Sequence, residues 1–332
     1  MKRVDIKLVM SILFIGFLLS CFVQEAASKE KVHLHVGYLP LLPQLPLVVS
    51  YENDRMTLER VELDLIRYNS YNALEAALRA GAIDVASIPV PMALGMAADG
   101  YLVKIIGAFH MGGGRLMAKN SGGFEMLRDK LIGVPGLDSD ENLMLNQILS
   151  AVNLRPGLDY KTIGVPLNSV INDLKSGRLD AISLPEPYGS IAEKEKLCVE
   201  VDGQKDQLAG KLRTVLVIRS EVIEKNEPVV KEWLKSLISS CYFIENDISK
   251  SNARQIAIIQ SAYFNFPKSI VIESLSNRKG GIKFGLFIPS NNAIKKILDR
   301  TSQMKMITKS IDLDNLIDFK LVEQITKKAK TK

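Results

Sequence analysis

One fourteen-residue pattern occurs twice in the chain, as LRAGAIDVASIPVP from Leu78 to Pro91 and as LKSGRLDAISLPEP from Leu174 to Pro187. The second copy begins 96 residues after the first, and the two share six identical positions. Each copy is typical of a helix end, a glycine that stops the helix, and an apolar strand that ends in proline. The repeat predicts two similarly built lobes, although two unrelated units with the same turn chemistry would also produce it.

Strand-like and helix-like segments alternate through most of the chain, which indicates an α/β protein with open sheets and helices on both faces. The chain has 332 residues, enough for one large domain or two medium ones. The predicted strands are 32–40, 61–69, 83–89, 103–110, 131–136, 160–166, 179–185, 198–201 and 214–220. The predicted helices are 45–55, 72–81, 91–100, 139–153, 169–177 and 228–247.

The net charge of +6 lies mainly at the two ends of the chain. The first 21 residues are basic, and the final KKAKTK adds four lysines. A nucleic-acid-binding protein carries its positive charge on the folded body. The charge distribution therefore predicts no nucleic-acid partner.

The amino terminus has the features of an export signal. A basic start leads into an apolar run, Leu8–Leu19, which is shorter than a membrane span of about 20 residues. The run closes on LLSC, which resembles the bacterial lipobox and implies a lipid on Cys21. An uncleaved anchor, or cleavage after Ala26–Ser28, is the alternative. Residues 1–21 are thus predicted as a lipoprotein signal peptide and 22–31 as a tether, with the remainder outside the cytoplasm and anchored to the membrane.

The other two cysteines, Cys198 and Cys241, stand in strand-like and helix-like contexts and are predicted to be small core residues. Trp233 shares an apolar helical stripe and is also expected in the core. No residue spacing indicates a metal site, and no cofactor is predicted. The glycines Gly112–Gly114 lack the helix and the Lys-Ser/Thr ending of a phosphate-binding loop, and they predict a tight turn.

Three stretches resemble the nitrate/sulfonate/taurine-type solute-binding proteins of ABC transporters. They are ALRAGAIDVASIPVPMALGMAADGYLVKIIGAFH, then LIGVPG followed by LNSVINDLKSGRLDAISLPEPYGSIA, and finally EPVVKEWLKSLISSCYFIEND. The match covers most of residues 33–250 and is weak after about residue 265. Alone, the glycine-to-aspartate turns and the Glu-Pro pair are moderately specific for this family. In this order and spacing they are strong evidence for the resemblance.

The resemblance implies a two-lobed periplasmic-binding-protein fold of type II, with two crossover segments near Arg115–Lys119 and Leu212–Ile218. A small-molecule solute would bind between the lobes, and the partners would be the transmembrane subunits of an ABC permease. No catalytic residue is expected. The predicted divisions are 32–115 for lobe I, 116–212 for lobe II, 213–300 for the return to lobe I, and 301–332 for a C-terminal helical extension with a basic tail.

The resemblance and the strand ends together select candidate ligand-binding residues in the first lobe. Ligands of open α/β sheets bind beyond the carboxyl ends of the strands. Tyr38 ends the first strand and Gln44 follows it, while Ser70 and Tyr71 occupy the next strand-to-helix loop. A purely structural role is an equal alternative for Tyr38 and Gln44.

The second lobe and its border supply five more candidates. Glu186 replaces Val90 of the first repeat, and an acid just after a buried strand is a functional candidate, with a hinge or capping role as the alternative. Tyr188 follows it, with core packing as the alternative. Ser139 and Asn168 precede second-lobe helices, and Ser139 is at least as well explained as a helix cap. The last candidate, His110, ends the strand before the three glycines.

Three other functions are compatible with parts of the sequence. The pyrimidine-precursor synthases of thiamine biosynthesis resemble the same family, but they are cytosolic and carry an iron-associated cysteine cluster. A solute sensor for a membrane signalling protein has no feature here that distinguishes it. A DNA-binding regulator would need a helix-turn-helix that residues 1–31 cannot hold.

The solute is expected to be a small organic or anionic molecule. Oxyanions, sulfonates and neutral or aromatic vitamin-like compounds all remain open. The predicted loops offer tyrosines, hydroxyls and Glu186 but no arginine pair, and Asp138 and Asp140 flank a helix start that would otherwise attract an anion. This pattern favours a neutral or partly cationic ring compound over nitrate.

Overall fold

Two mixed β-sheets form the framework of this computed structural model, which describes residues 30–204, 207 and 210–330. Val32–Lys332 forms one unit, called the body here, and Cys21 lies outside the described residues. The strands of the body are β1 (Val32–Tyr38), β2 (Val61–Arg67), β3 (Val85–Pro89), β4 (Val103–Met111), β5 (Gly114–Ala118), β6 (Leu131–Val134), β7 (Lys161–Gly164), β8 (Ala181–Pro185), β9 (Val199–Glu200), β10 (Thr214–Arg219) and β11 (Lys283–Phe287).

The α-helices lie between these strands and after the last of them. They are α1 (Leu45–Asp54), α2 (Tyr71–Ala80), α3 (Val90–Ala98), α4 (Asp140–Ala151), α5 (Val170–Lys175), α6 (Tyr188–Lys194), α7 (Ser220–Ser251), α8 (Arg254–Ile259), α9 (Lys268–Ser276), α10 (Asn291–Gln303), α11 (Leu313–Leu316) and α12 (Lys320–Lys330). Within the part of the chain that the structure describes, no helix is long and apolar enough to cross a membrane.

The first sheet has six strands in the order β11-β4-β10-β3-β1-β2, and the second has five in the order β7-β6-β8-β5-β9. In each sheet, three neighbouring strands are parallel, and the next strand in the sheet pairs antiparallel with the last of them. This strand is β10 beside β3 in the first sheet and β5 beside β8 in the second. The predicted α/β fold with two lobes is confirmed, and the two copies of the repeat lie in different sheets.

The aspartates of the two copies make the same contacts in their own sheets. The Asp84 N–H donates to the His35 carbonyl, and the Asp84 carboxylate accepts the His35 N–H at 2.9 Å. Asp180 makes the same pair of bonds with Leu131, and its carboxylate accepts the Leu131 N–H at 3.0 Å. Each aspartate thus fixes the register of its strand against the parallel neighbour, which explains why both copies keep it.

The glycines of the repeat adopt the left-handed conformation that the sequence predicts. Gly81 has φ 72° and Gly177 has φ 78°. Side chains with a Cβ rarely adopt this conformation, so glycine ends the helix at low cost.

The chain changes sheets at two places that lie side by side. The first is Gly112–Gly113, with φ of 67° and 92°. The second is Lys211–Arg213, which leads into β10. The Gly112 N–H donates to the Lys211 carbonyl at 2.9 Å. Gly112 and Gly113 link β4 to β5 and Gly114 already lies in β5, so the tight turn predicted at these three described glycines is not seen. The first crossing stands just before the predicted stretch Arg115–Lys119, whose residues already lie on or beside β5 in the second sheet.

The hydrophobic core continues from one sheet to the other. A single buried cluster contains Ile88 and Val217 of the first sheet together with Leu143 and Leu184 of the second lobe. The two lobes are therefore packed against each other in this structure. Trp233, Cys198 and Cys241 are buried as predicted.

Candidate functional site

The carboxyl ends of the parallel strands in both sheets meet where the chain crosses between the lobes. The loop after β1 contacts the end of β8, because the Leu42 N–H donates to the Glu186 carbonyl at 2.9 Å. The Glu186 N–H bonds the Gly113 carbonyl, and the equivalent Val90 N–H of the first repeat bonds the Arg213 carbonyl. Both repeats thus hold a crossing segment at this junction.

A buried ion cluster lies at the centre of the junction. Arg213, from the second crossing, has its Nε 2.6 Å from Asp140 Oδ2 and its Nη2 3.1 Å from Glu141 Oε1. The two acids occupy the first turn of α4, where negative charge is favourable, and all three side chains are almost fully buried. Burial raises the pKa of Asp140 to about 7, although the Arg213 charge opposes the shift.

Tyr71 brings the first lobe to this cluster. It is the first residue of α2, and the Ser70 hydroxyl caps that helix by accepting the Ala73 N–H at 3.2 Å. Burial, and then the negative charge of Glu141, hold the pKa of Tyr71 well above its usual value. Its hydroxyl therefore stays protonated at neutral pH and can donate a hydrogen bond.

Gln44 supports the same junction from the loop after β1. Its side-chain oxygen accepts the Leu39 N–H at 2.8 Å, and its amide donates to the Ser87 carbonyl at 3.2 Å. The side chain is buried, so Gln44 fixes the shape of the loop.

His110 is buried at the junction beside the start of β10. Its Nε2 lies 2.7 Å from the Thr214 hydroxyl, which lies 2.9 Å from the Ser87 hydroxyl. Burial, and then the nearby Arg213 charge, lower the pKa of His110 to about 3, so the imidazole is neutral. Four buried atoms of the described junction residues, His110 Nδ1, Glu141 Oε2 and the ion-paired Asp140 Oδ2 and Arg213 Nε, have no hydrogen-bond partner.

A groove of about 490 Å³ opens beside the junction, with walls from both lobes. Ser70 and Asn72 line it from the first lobe, and Gly136, Leu137 and Asp138 line it from the second. Its size suits a small ligand. Burial raises the pKa of Asp138 above its usual value. None of the described residues that line the groove carries a positive charge.

Ser139 caps α4 by accepting the Asn142 N–H at 3.2 Å, and it is fully buried. Its observed contact is therefore the capping role that was the alternative. Asn168 lies exposed on the loop between β7 and α5.

Tyr38 and Tyr188 lie at the two ends of an aromatic series that joins the lobes. The ring centroids of Tyr38 and Phe264 are 6.0 Å apart, those of Phe264 and Phe266 are 6.3 Å apart, and those of Phe266 and Tyr188 are 5.9 Å apart. Both tyrosines are buried, and burial raises the pKa of Tyr188 to about 12. The two phenylalanines come from the segment before α9, and no local signal in the sequence linked them to the site.

Glu186 is fully buried, and groups of its own lobe occupy its carboxylate. One oxygen lies 3.4 Å from Arg115 Nη1, and the other accepts the Ser190 N–H at 3.1 Å in the first turn of α6. Burial raises the pKa of Glu186, and Arg115 acts in the opposite direction. These contacts favour the capping role for Glu186, and its binding of a ligand stays a prediction.

Sequence reasoning did not identify Arg213, Glu141 or Asn72. Arg213 stands at the start of an ordinary apolar strand, and its acidic partners lie far away in the sequence. In the described part of the chain, no three His, Cys, Asp or Glu side chains come together as a metal site.

Solved structures of low sequence identity share this fold, which is that of the two-lobed periplasmic binding proteins. The periplasmic nitrate-binding protein NrtA from Synechocystis matches with a TM-score of 0.79 and 15% identity, over 90% of this chain and 89% of that one. The alkanesulfonate-binding protein SsuA from Xanthomonas axonopodis pv. citri, bound to MOPS, matches with a TM-score of 0.71 and 16% identity, over 87% and 99%. A zinc-bound ligand-binding component of an ABC-type import system from Staphylococcus aureus gives 0.77 and 19%, over 88% and 98%.

The chain belongs to the NMT1-like family, whose model matches residues 27–261. A curated relative, the bicarbonate transport ATP-binding protein CmpC of Synechococcus elongatus, is 23% identical over 263 residues, which is 73% of this chain and 40% of the relative. The nitrate import ATP-binding protein NrtC of Synechocystis is 24% identical over 238 residues, 65% of this chain and 36% of the relative. The chain thus spans about two fifths of the length of these relatives. The resemblance to nitrate/sulfonate-type solute-binding proteins is confirmed.

Proposed function

We propose that this protein is the solute-binding component of an ABC importer, which captures a small solute between its lobes and delivers it to the permease without chemistry. The observation that carries the proposal is the groove between two α/β lobes joined by two adjacent crossings. The names of the relatives support the same class, since they are transport and binding proteins.

The crossings provide a mechanism for capture. Gly112–Gly113 and Lys211–Arg213 are adjacent and joined by a hydrogen bond, so rotation about them would open the junction as a hinge. Arg213 contacts Asp140 and Glu141 of the second lobe. Tyr71 of the first lobe lies close enough to feel the charges of Glu141 and Arg213. A solute that contacts both walls of the groove would favour the closed form, because it loses half of its contacts when the lobes separate.

The groove favours a neutral or partly cationic solute with N–H or O–H donors. Asp138 supplies a carboxylate acceptor in the lining of the groove. Arg213 is already neutralised by two carboxylates. An oxyanion would meet the Asp138 carboxylate with no cation among the described lining residues, and burial of unpaired like charge is costly.

A thermal-shift panel on the full chain in mild detergent tests both parts of the proposal. Benzamidine and 4-aminopyrimidine represent donor-bearing rings, and nitrate, bicarbonate and methanesulfonate represent anions. A ligand at 100 times its Kd stabilises by about 2.7 kcal/mol. We expect a shift with a donor-bearing ring that is lost in Asp138→Asn. A shift with an anion alone would contradict the solute class, and no shift with any small solute of a wider panel would contradict the function.

We also propose that the protein is anchored outside the cytoplasm through a lipid on Cys21. The support is the LLSC sequence after a short apolar run. Stable anchoring generally needs more than one acyl chain. Mass spectrometry of the mature protein should find a diacylglyceryl cysteine at its amino terminus. A mature protein that starts at Lys29 without lipid would contradict the anchor and leave the solute-binding proposal intact.

A further inference from the structure

A second cavity, of about 330 Å³, lies on another side of α4 from the groove. Its walls come from α4 of the second lobe, from the second crossing segment around Lys211 and Leu212, and from α10 near the C-terminus. It therefore touches both lobes and a segment that joins them.

Three cations face this cavity, and none of them forms an ion pair with a described carboxylate, although the charge of Arg300 acts on Asp140. They are Lys211 of the crossing segment and Lys296 and Arg300 of α10. Among the described residues of the lining, the only acid is Asp140, which already lies 2.6 Å from Arg213. The lining therefore carries an excess of positive charge, and an anion placed between the three cations would be attracted by all of them.

Besides the polar side chains of Gln147 and Gln207, the rest of the described lining is apolar. Leu143, Met144 and Ile148 form the wall on α4, and Leu212 and Ile297 face it. A bare inorganic ion would leave this surface without a partner, whereas an organic anion would cover it. The volume is near the lower end for ligand pockets, so the molecule must be small.

Two of the three cations lie beyond the family match, which ends at residue 261. Lys296 and Arg300 belong to α10, whose Ile294 and Ile297 are buried against the body. The α10 side of the cavity is therefore built by residues outside the region that matches the family.

We propose that this cavity is a second binding site, separate from the solute groove, for a small organic carboxylate with an apolar body. Its carboxylate would bind Lys211, Lys296 and Arg300, and its body would lie on the apolar face of α4. Because the walls belong to both lobes and to a crossing segment, occupancy would stabilise the packed arrangement of the lobes.

Isothermal titration of the full chain in mild detergent tests the site with benzoate as the probe. Benzamide is the neutral control of the same shape, and inorganic phosphate is the control without an apolar body. We expect benzoate to bind more tightly than either. Lys296→Gln and Arg300→Gln should each weaken it by about tenfold, as the loss of a charged hydrogen bond does. The matched control Lys295→Gln, on the same helix outside the lining, should bind as the wild type does.

Several results would overturn the site. These are equal affinity for benzamide, equal affinity for phosphate, or wild-type affinity in both lining variants. Circular dichroism of each variant verifies its fold, and Lys296→Gln alone suffices if Arg300→Gln does not fold. Asp138→Asn, in the solute groove, should leave benzoate affinity unchanged. A loss there would show that benzoate enters the groove, which would also overturn a separate site.

Discussion

At the scale of single residues, the junction is defined by partners that are distant in sequence. The sequence predicted which loops meet, and Tyr71, Ser70, Gln44 and His110 do lie around the junction. It did not predict Arg213, because an arginine before an apolar strand has no local signature and its partners Asp140 and Glu141 meet it only in the folded chain. Buried charge depends on such tertiary pairing.

The Glu186→Gln variant separates the two roles of that residue. We expect a loss of about 1–3 kcal/mol in the free energy of unfolding, because a charged hydrogen bond in a buried site is weakened. Solute affinity should stay close to that of the wild type. Chemical denaturation and titration with the solute measure the two quantities. Unchanged stability together with reduced affinity would instead support the role predicted from the sequence.

His110 should make stability depend on pH. The folded pKa of about 3 lies below the usual 6.5, so the unfolded state binds more protons between these values. The contribution of His110 is therefore fully present above pH 6.5 and is lost as the pH falls toward 3. From pH 7.5 to pH 5 the loss is about 2 kcal/mol.

The comparison of His110→Gln with the wild type isolates this effect. Asp140, with its raised pKa, acts in the opposite direction, since its folded state binds more protons between pH 4 and about 7. The difference in unfolding free energy between wild type and variant should shrink as the pH is lowered from 7.5 to 5. A constant difference would show that His110 is not held neutral.

At the scale of elements, the repeat was predictable because its signals are local. A glycine ends each helix, an aspartate enters each strand, and both roles are seen in the two sheets. The region after residue 265 was not predicted in detail. There β11 joins the first sheet beside β4, and the α11 end contacts β4 through Ile317 and Ile105. Their positions depend on exposed strand edges formed by much earlier residues.

Alanine at Gly81 and at Gly177 measures the cost of the two left-handed turns. Each change should destabilise by about 1–2 kcal/mol, since a Cβ disfavours positive φ. Space is not the cause at Gly177, where an added Cβ would lie 3.8 Å from Lys119 Nζ. Gly95→Ala in α3 is the control, with no atom within 4 Å of its Cβ, and should stabilise by about 0.5–1 kcal/mol. Equal melting temperatures for all three variants would contradict the left-handed turns.

At the scale of the whole molecule, two lobes and two crossings follow from the repeat and the family resemblance. The identity of the solute does not follow, because it depends on how side chains from both lobes combine. Asp138 and Asn72 face the same groove only because the lobes pack together. The solute class is therefore proposed from the residues that line the groove. Capture of the solute depends on motion between the lobes.

A crosslink across the groove tests that capture most directly. Asn72 and Leu137 are exposed and line opposite walls, so cysteines at both positions can be joined by a short bismaleimide. Cys198 and Cys241 should not react, because they are buried and burial raises their thiol pKa values to about 11 and about 12. Each single variant treated with a monofunctional maleimide is the control.

The measurement is the rate of solute entry and release, with the solute that gives the largest thermal shift. Crosslinking before solute addition should abolish binding, and crosslinking after addition should trap the solute and slow its release by at least about tenfold. Crosslinked protein that binds and releases the solute as fast as the untreated protein would contradict capture between the lobes.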